Sequence, residues 1–440
     1  MIQRDCIITG SVLAAVVLVV GVSALLHAAS INQDPAYTDQ NAYMDCARKM
    51  SQSHYRYVTP RNRMPIYPFL LSLMYRQGMP TSAFFNLCKA FNIFLSCALL
   101  VGLFFLLKRS LDRMSALSLV TVFAFTLFAF KAGYVQCEML FFSLFLASFL
   151  LLCTCLLRSS IVLGLSSGIV LGVTHLTKAS TLPLLGLFVV FGLGRGLWSY
   201  LREKKKMPFL CVALVILSFF FVTGRYFWTS KRIYGRAFYN VNTTLYVWCD
   251  SWSECMEGPH AHGDATSWPQ LPADQMPSPR KYFKRHGIEV LWLRPLFGLR
   301  QMLYYWTMGS FGTTGFAVCY LVVTAVLIFR RARESLRRAA KRPFLLLFAM
   351  GFFAGYLYAY MWYAPIACGP RFFLSLYMPL LVGLVWIQKK LSLPRVRILG
   401  REIELFGALQ VFFLLSAGMY WGLNGIQKLT SLGWYRVISM

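Results

Sequence analysis

Three aspartates, Asp34, Asp39 and Asp45, fall within INQDPAYTDQNAYMDCARKM, residues 31–50 of a chain with only 16 acidic residues among 440. Shortly downstream, RNRMPIYPFLLSLMYRQGMP supplies Arg61 and Arg63, and guanidinium groups grip phosphate through paired hydrogen bonds. Glu138 opens an apolar run in VQCEML, while Lys178, Arg225 and Arg371 stand at the ends of other apolar runs. A carboxylate takes a proton from an attacking hydroxyl as a general base. Carboxylate and guanidinium groups gathered at a lipid surface therefore suit a reaction between a phospholipid and a hydroxyl nucleophile.

The elements that must position these groups are membrane helices. Hydrophobic residues make up 58% of the chain and charged ones 14%, against roughly 45–50% and 25% in soluble proteins, so the apolar surplus must face lipid. Apolar windows read as 7–28, 82–107, 115–131, 138–157, 160–176, 181–199, 208–224, 311–329, 343–362, 372–388 and 404–423. They predict an all-α polytopic membrane protein with about eleven transmembrane helices in one integral membrane domain, residues 1–440. The first window is too long for a cleavable signal core and is read as a permanent span.

The short connectors LLKRSLDRM, YLREKKKM, FRRARESLRRAAKR and QKKLSLPRVRILGRE are basic and fall on one side if every window crosses once, which makes that side cytoplasmic. The net charge of +28 is thereby assigned to orientation and not to nucleic acid. Two polar regions, 29–81 and 225–310, then share the outer face. The second is cation-rich and reads as a long loop around GPHAHGDATSWPQLPADQMPSP. Cations held at an outer membrane surface want anions, and lipid phosphates are the anions at hand. The 12 cysteines show no metal spacing; Cys249 and Cys255 are the one pair placed for a disulfide. No internal repeat is visible.

From Thr38 onward the pattern turns helical, with Ala42, Tyr43, Cys46, Ala47 and Met50 on one face and Asn41, Asp45, Arg48, Lys49 and Gln52 on the other. This predicts a helix lying on the membrane, with Thr38 or Asp39 at its N-cap. The bland role for Asp39 is thus a capping carboxylate. Pro65 and Pro68 start a second interfacial helix too short to span. Glu138 at a helix start is favoured by the dipole, yet an ionisable group at membrane depth is also a candidate site residue.

The order of a first span, TDQNAYMDCARKM and RNRMPIYPFLLSLMY resembles the first outer loop of C-type (GT-C) membrane glycosyltransferases. The branch it resembles contains the protein O-mannosyltransferases and the lipid A aminoarabinose transferase, which use polyprenyl-phosphate sugar donors. Asp39 and Tyr43 match the family's Asp and the Tyr four residues later, with Gln40 where a Glu is frequent. Arg63, Pro65, Tyr67 and Pro68 match R-x-P-x-Y-P. AGYVQCEML maps Glu138, GLSSGIVLGVTHLTK maps Lys178 onto a G-x-x-x-G-x-x-x-L-T-R run, NVNTTLYVWCD resembles the turn after the seventh span, and GPRFFLSLYMPLL maps Arg371.

The resemblance implies a GT-C fold and an inverting transfer of one sugar from a polyprenyl-phosphate donor to a hydroxyl on a lipid, glycan or protein acceptor. Asp39 would be the base, with Glu138 as the second catalytic carboxylate, positioning the acceptor. Arg61, Arg63, Lys178, Arg225 and Arg371, with Tyr43 and Tyr67, would bind substrate. A divalent cation shared by Asp39 and Glu138 is an option the two acids leave open. The expected setting is a bacterial inner membrane with the site facing the periplasm. A lipid or polysaccharide transporter or flippase without chemistry is the alternative.

Overall fold

Apolar runs of this length fold as helices because each satisfies its own backbone hydrogen bonds, as a bilayer demands. The computed structural model describes residues 2–261, 271–272, 275–309, 311–367, 370–391, 395–398 and 401–430. The chain begins with α1 (Ile2–Ser30), two short helices α2 (Gln40–Gln52) and α3 (Ile66–Ser72), and α4 (Thr81–Leu107). Helix α5 (Arg113–Phe123) runs through a π-helical turn, Ala124–Phe128, into α6 (Ala129–Lys131). Then come α7 (Glu138–Leu157), α8 (Ile161–Thr177), α9 (Leu182–Glu203) and α10 (Met207–Tyr234). Short helices α11 (Val241–Thr244), α12 (Trp252–Cys255) and α13 (Pro279–His286) lead to α14 (Val290–Gly309). The chain continues with α15 (Phe311–Arg330), α16 (Ala332–Ala340), α17 (Pro343–Tyr363), α18 (Pro370–Lys390) and α19 (Leu405–Thr430). Strands β1 (Arg395–Ile398) and β2 (Arg401–Glu404) form a short antiparallel hairpin in the basic connector before α19.

Among the described residues, nine helical segments are long and apolar enough to cross a membrane, so the protein is an integral, polytopic membrane protein. Two further expected windows, 160–176 and 372–388, are helical as well. Helix α8 has only 17 residues, and α18 ends in Lys389 and Lys390. The segment Arg113–Lys131 has 94% of its apolar window buried, whereas windows such as those of α17 and α19 are 22% buried, so α5 and α6 sit centrally with lipid-facing helices around them.

Close packing at α8 explains its glycine spacing. A Cβ on Gly168 would collide with Ser218 and the Val215 carbonyl of α10, and one on Gly172 would lie 2.8 Å from Val222 Cβ. Small residues every fourth position let two membrane helices approach closely. The last turn of α8, and with it Lys178, is thereby fixed against α10.

One end of the bundle carries α2, α3, the start of α7 and the last turns of α8 and α10; it is called the site end below. At the opposite end Lys389 pairs with Asp112 at 3.4 Å, joining two of the basic connectors. The expected 225–310 loop is largely structured. Residues 225–234 belong to α10, which stops only where Gly235 takes φ +71°, and α11 to α14 occupy much of the rest. Half of its Pro/Gly-rich core, residues 262–270 and 273–274, lies outside the described residues.

Candidate functional site

Asp39 is the N-cap of α2 by position, yet its side chain makes no cap hydrogen bond. Its Oδ1 instead accepts from Arg63 Nη2 at 2.6 Å, 24 positions along the chain. The preceding residue, Thr38, holds φ +62°. A β-branched residue in that region is strained by about 1–3 kcal/mol, which the surroundings must offset. Gln136 Nε2 donates to Thr38 Oγ1 at 3.0 Å and helps hold it there.

Gln40, fully buried, anchors the loop from the other side. Its Nε2 donates to Asn32 Oδ1 (2.8 Å) and the Tyr37 carbonyl (3.0 Å), while its Oε1 accepts from Asn32 Nδ2 (2.8 Å) and the Val135 amide (2.9 Å). A carboxylate at this position would offer no donor to Asn32 or Tyr37. The amide thus has a structural reason to stand at position 40. Lys89 adds to the same knot, donating to the Ala28 and Asn32 carbonyls, both at 2.9 Å.

The buried face of α2 is Gln40, Tyr43, Met44, Cys46, Ala47 and Met50. It follows the expected stripe except that Met44 is buried and Ala42 exposed. Tyr43 meets the edge of Tyr67 at 5.1 Å, lies under the Arg63 guanidinium at 5.5 Å, and shares a 3.1 Å hydrogen bond with Cys137 Sγ. Tyr67 donates to Asn92 Oδ1 at 3.0 Å, and Asn92 Nδ2 reaches the Ala132 and Tyr134 carbonyls. The loop before α7 is thereby tied to α3 and α4.

Glu138 follows Cys137 at the start of α7 and is 4% exposed. Lys178 Nζ stands 3.9 Å from its Oε1, over the ring of Phe141, whereas Oε2 is buried without a hydrogen-bond partner. Tyr43 feels both ion pairs. Burial pushes its hydroxyl well above the usual range, Cys137, Glu138 and Asp39 push the same way, and Arg63 opposes them. Burial, helped by Glu138, pushes the Cys137 thiol up to about 12, with Lys178 and Arg63 opposing.

The structure therefore gathers Asp39, Arg63, Tyr43, Tyr67, Glu138 and Lys178 at the site end. Arg61 is not turned to this group. It is 2% exposed, donates from Nε to Ser230 (2.8 Å), from Nη1 to the Thr59 carbonyl (3.0 Å) and from Nη2 to Thr229 (2.8 Å), and stacks 4.1 Å over Tyr226. It straps the first loop to α10, and Asn240 completes the strap by donating to the Arg61 carbonyl at 2.6 Å. Arg225 sits on an exposed face of α10 with Phe221 and Trp228. Arg371 opens α18 in the backbone; its side chain lies outside the described residues.

Among the described residues, no three His, Cys, Asp or Glu side chains gather as metal ligands. Asp39 and Glu138 each face a cation, Arg63 and Lys178 respectively. Residues that the sequence pattern did not single out are Asn32, Lys89, Asn92 and Gln136. The available signal was polar side chains inside or just beside apolar windows, which must find partners when buried. Comparison of the chain with protein-family models, with curated proteins and with solved structures returned no match.

Proposed function

We propose that the protein is a GT-C-type inverting glycosyltransferase that moves one sugar from a polyprenyl phosphate to an acceptor hydroxyl at the site end. The observation that carries this reading is the Asp39 carboxylate, placed at an N-cap, uninvolved in capping, and held 2.6 Å from Arg63. The pair is partly exposed, 30% at Asp39 and 20% at Arg63, so it adds at most about 1 kcal/mol to stability. A strained approach and a precise ion pair of so little structural worth favour a chemical role.

In the proposed reaction the donor's sugar phosphate reaches the site end from the bilayer. Arg63 turns from Asp39 to grip the phosphate through a forked pair of hydrogen bonds, and Lys178 supplies a second positive charge. Asp39, released from Arg63, becomes the stronger base. It takes the acceptor hydroxyl proton while that oxygen bonds to the anomeric carbon from the face opposite the phosphate. The bond from anomeric carbon to phosphate oxygen breaks with inversion, and the leaving phosphate keeps the electron pair beside the cations. Glu138, with its free Oε2, orients the acceptor. Tyr43 and Tyr67 form the ring-packed floor beneath Arg63. No step runs through a metal ion.

The acceptor is a lipid, glycan or protein hydroxyl, and the setting a bacterial inner membrane with the site toward the periplasm. Basic connectors at the opposite end support that orientation. Purified protein in liposomes, given radiolabelled polyprenyl-phosphate sugar and membrane extract as acceptor, separates this reading from a flippase. Transfer yields polyprenyl phosphate and a labelled product of opposite anomeric configuration. Movement of intact donor across the bilayer with no such product would sink the enzyme reading.

A further inference from the structure

Helix α14 is twenty residues long, about 30 Å, yet its neighbours keep it at the site end. Near its start, Tyr358 of α17 donates to the Leu291 carbonyl at 2.9 Å. Arg294, 6% exposed, donates to the carbonyls of Trp362 (2.8 Å) and Cys249 (2.7 Å). Gly298 lies so close that a Cβ would strike the Met361 carbonyl. Met361 and Trp362 belong to the last turn of α17. Beyond α14, Gly312 at the start of α15 packs on Tyr420, far along α19 from the β-hairpin. Helix α15 then descends through Tyr320, stacked on Phe413 at 3.8 Å, to Thr324, which receives Gln388 at 2.9 Å beside the basic end of α18. Both ends of α14 therefore stay at the site end, and it lies across the bundle without crossing the membrane.

Its outward face is apolar. Trp292 (52% exposed), Leu293, Leu296 (61%), Phe297, Leu303 and Tyr304 share it, and Arg300, also exposed, falls in the middle of that arc at helical spacing. Water does not suit such a face, and bare hydrocarbon does not suit Arg300. The boundary between acyl chains and headgroups suits both, because an arginine stem lies along apolar surface while its head reaches a phosphate. Helix α13, directly before it, exposes Arg280 and Lys284. Arg285 is engaged elsewhere, 3.3 Å from Glu254 and 3.5 Å from Asp250, and Glu289 is the exposed acid between the two helices.

We propose that α13 and α14 form an in-plane seat for anionic phospholipids, with acyl chains along the Trp292–Tyr304 face and headgroup phosphates on Arg300, Lys284 and Arg280. The seat lies apart from Asp39 and does not rest on the sugar-transfer reading. Charge complementarity commits it to anionic lipid, since each cation near a leaflet surface favours an anionic headgroup by roughly fivefold.

The test is lipid retention by the full chain in nanodiscs of equal phosphatidylglycerol and phosphatidylcholine, read by mass spectrometry of bound lipid. Wild type retains phosphatidylglycerol in several-fold excess. Arg300→Gln and Lys284→Gln each reduce that excess by about fivefold, whereas Arg300→Lys keeps it, which separates loss of charge from loss of fold. Retention in the bulk ratio by wild type overturns the proposal. So does an unchanged preference in both Gln variants, or an equal loss in Arg300→Lys.

Discussion

Asp39 Oδ1 and Arg63 Nη2 lie 2.6 Å apart at the point where α2 begins, and the carboxylate caps nothing. The arginine that neutralises the resting acid is also the group best shaped to hold a phosphate. In the proposed reaction an anionic donor draws the arginine away and leaves the carboxylate to act as the base.

Arg63→Lys keeps the charge but loses the fork. The expected outcome is a rise in KM for polyprenyl-phosphate sugar of roughly tenfold, as for one hydrogen bond to a charged group, with a smaller change in kcat. Steady-state kinetics over a donor series check this; an unchanged KM removes Arg63 from phosphate recognition.

Gln40→Glu replaces a buried amide that both donates and accepts. The carboxylate oxygen in place of Nε2 would face Asn32 Oδ1 and the Tyr37 carbonyl oxygen, at a cost of about 1–3 kcal/mol. Thermal unfolding in detergent is expected at a lower temperature than wild type. A variant as stable as wild type would show that the knot of Asn32, Gln40 and Val135 tolerates loss of its donor.

The buried Cys137 and Tyr43 give a pH signature. The Cys137 thiol, ordinarily at 9.0, is pushed up to about 12 by burial, and the Tyr43 hydroxyl is also raised. Raised values mean that the protonated forms are the native ones. The stability they contribute is complete below pH 9.0 and is lost as pH climbs toward about 12. Melting temperature should fall across this window, and less steeply in Cys137→Ala; an identical slope in that variant would contradict the assignment.

Much of the site could be read from local pattern because its parts are local. The stripe through Tyr43 and Met50 and the prolines around Tyr67 each follow from periodicity or fixed dihedrals within a few residues. The pairing was not legible. Arg61 and Arg63 precede the same proline segment, and only the approach of Ser230 and Thr229 turns one into a strut. Tyr43 and Cys137 meet across 94 positions, a separation that no helical period encodes. The 225–310 stretch misled because its charge resembled loop composition, whereas α14 hides Arg294 and Gly298 against α17 and keeps its apolar residues outward.

Asp39→Asn is the most direct measurement. It keeps size and a hydrogen-bonding side chain while removing the base, and the lost pair costs at most about 1 kcal/mol in stability. With purified protein and radiolabelled polyprenyl-phosphate sugar, transfer should fall by about 10²- to 10⁴-fold while melting temperature stays near wild type. Transfer at the wild-type rate by a folded Asp39→Asn protein would contradict the account.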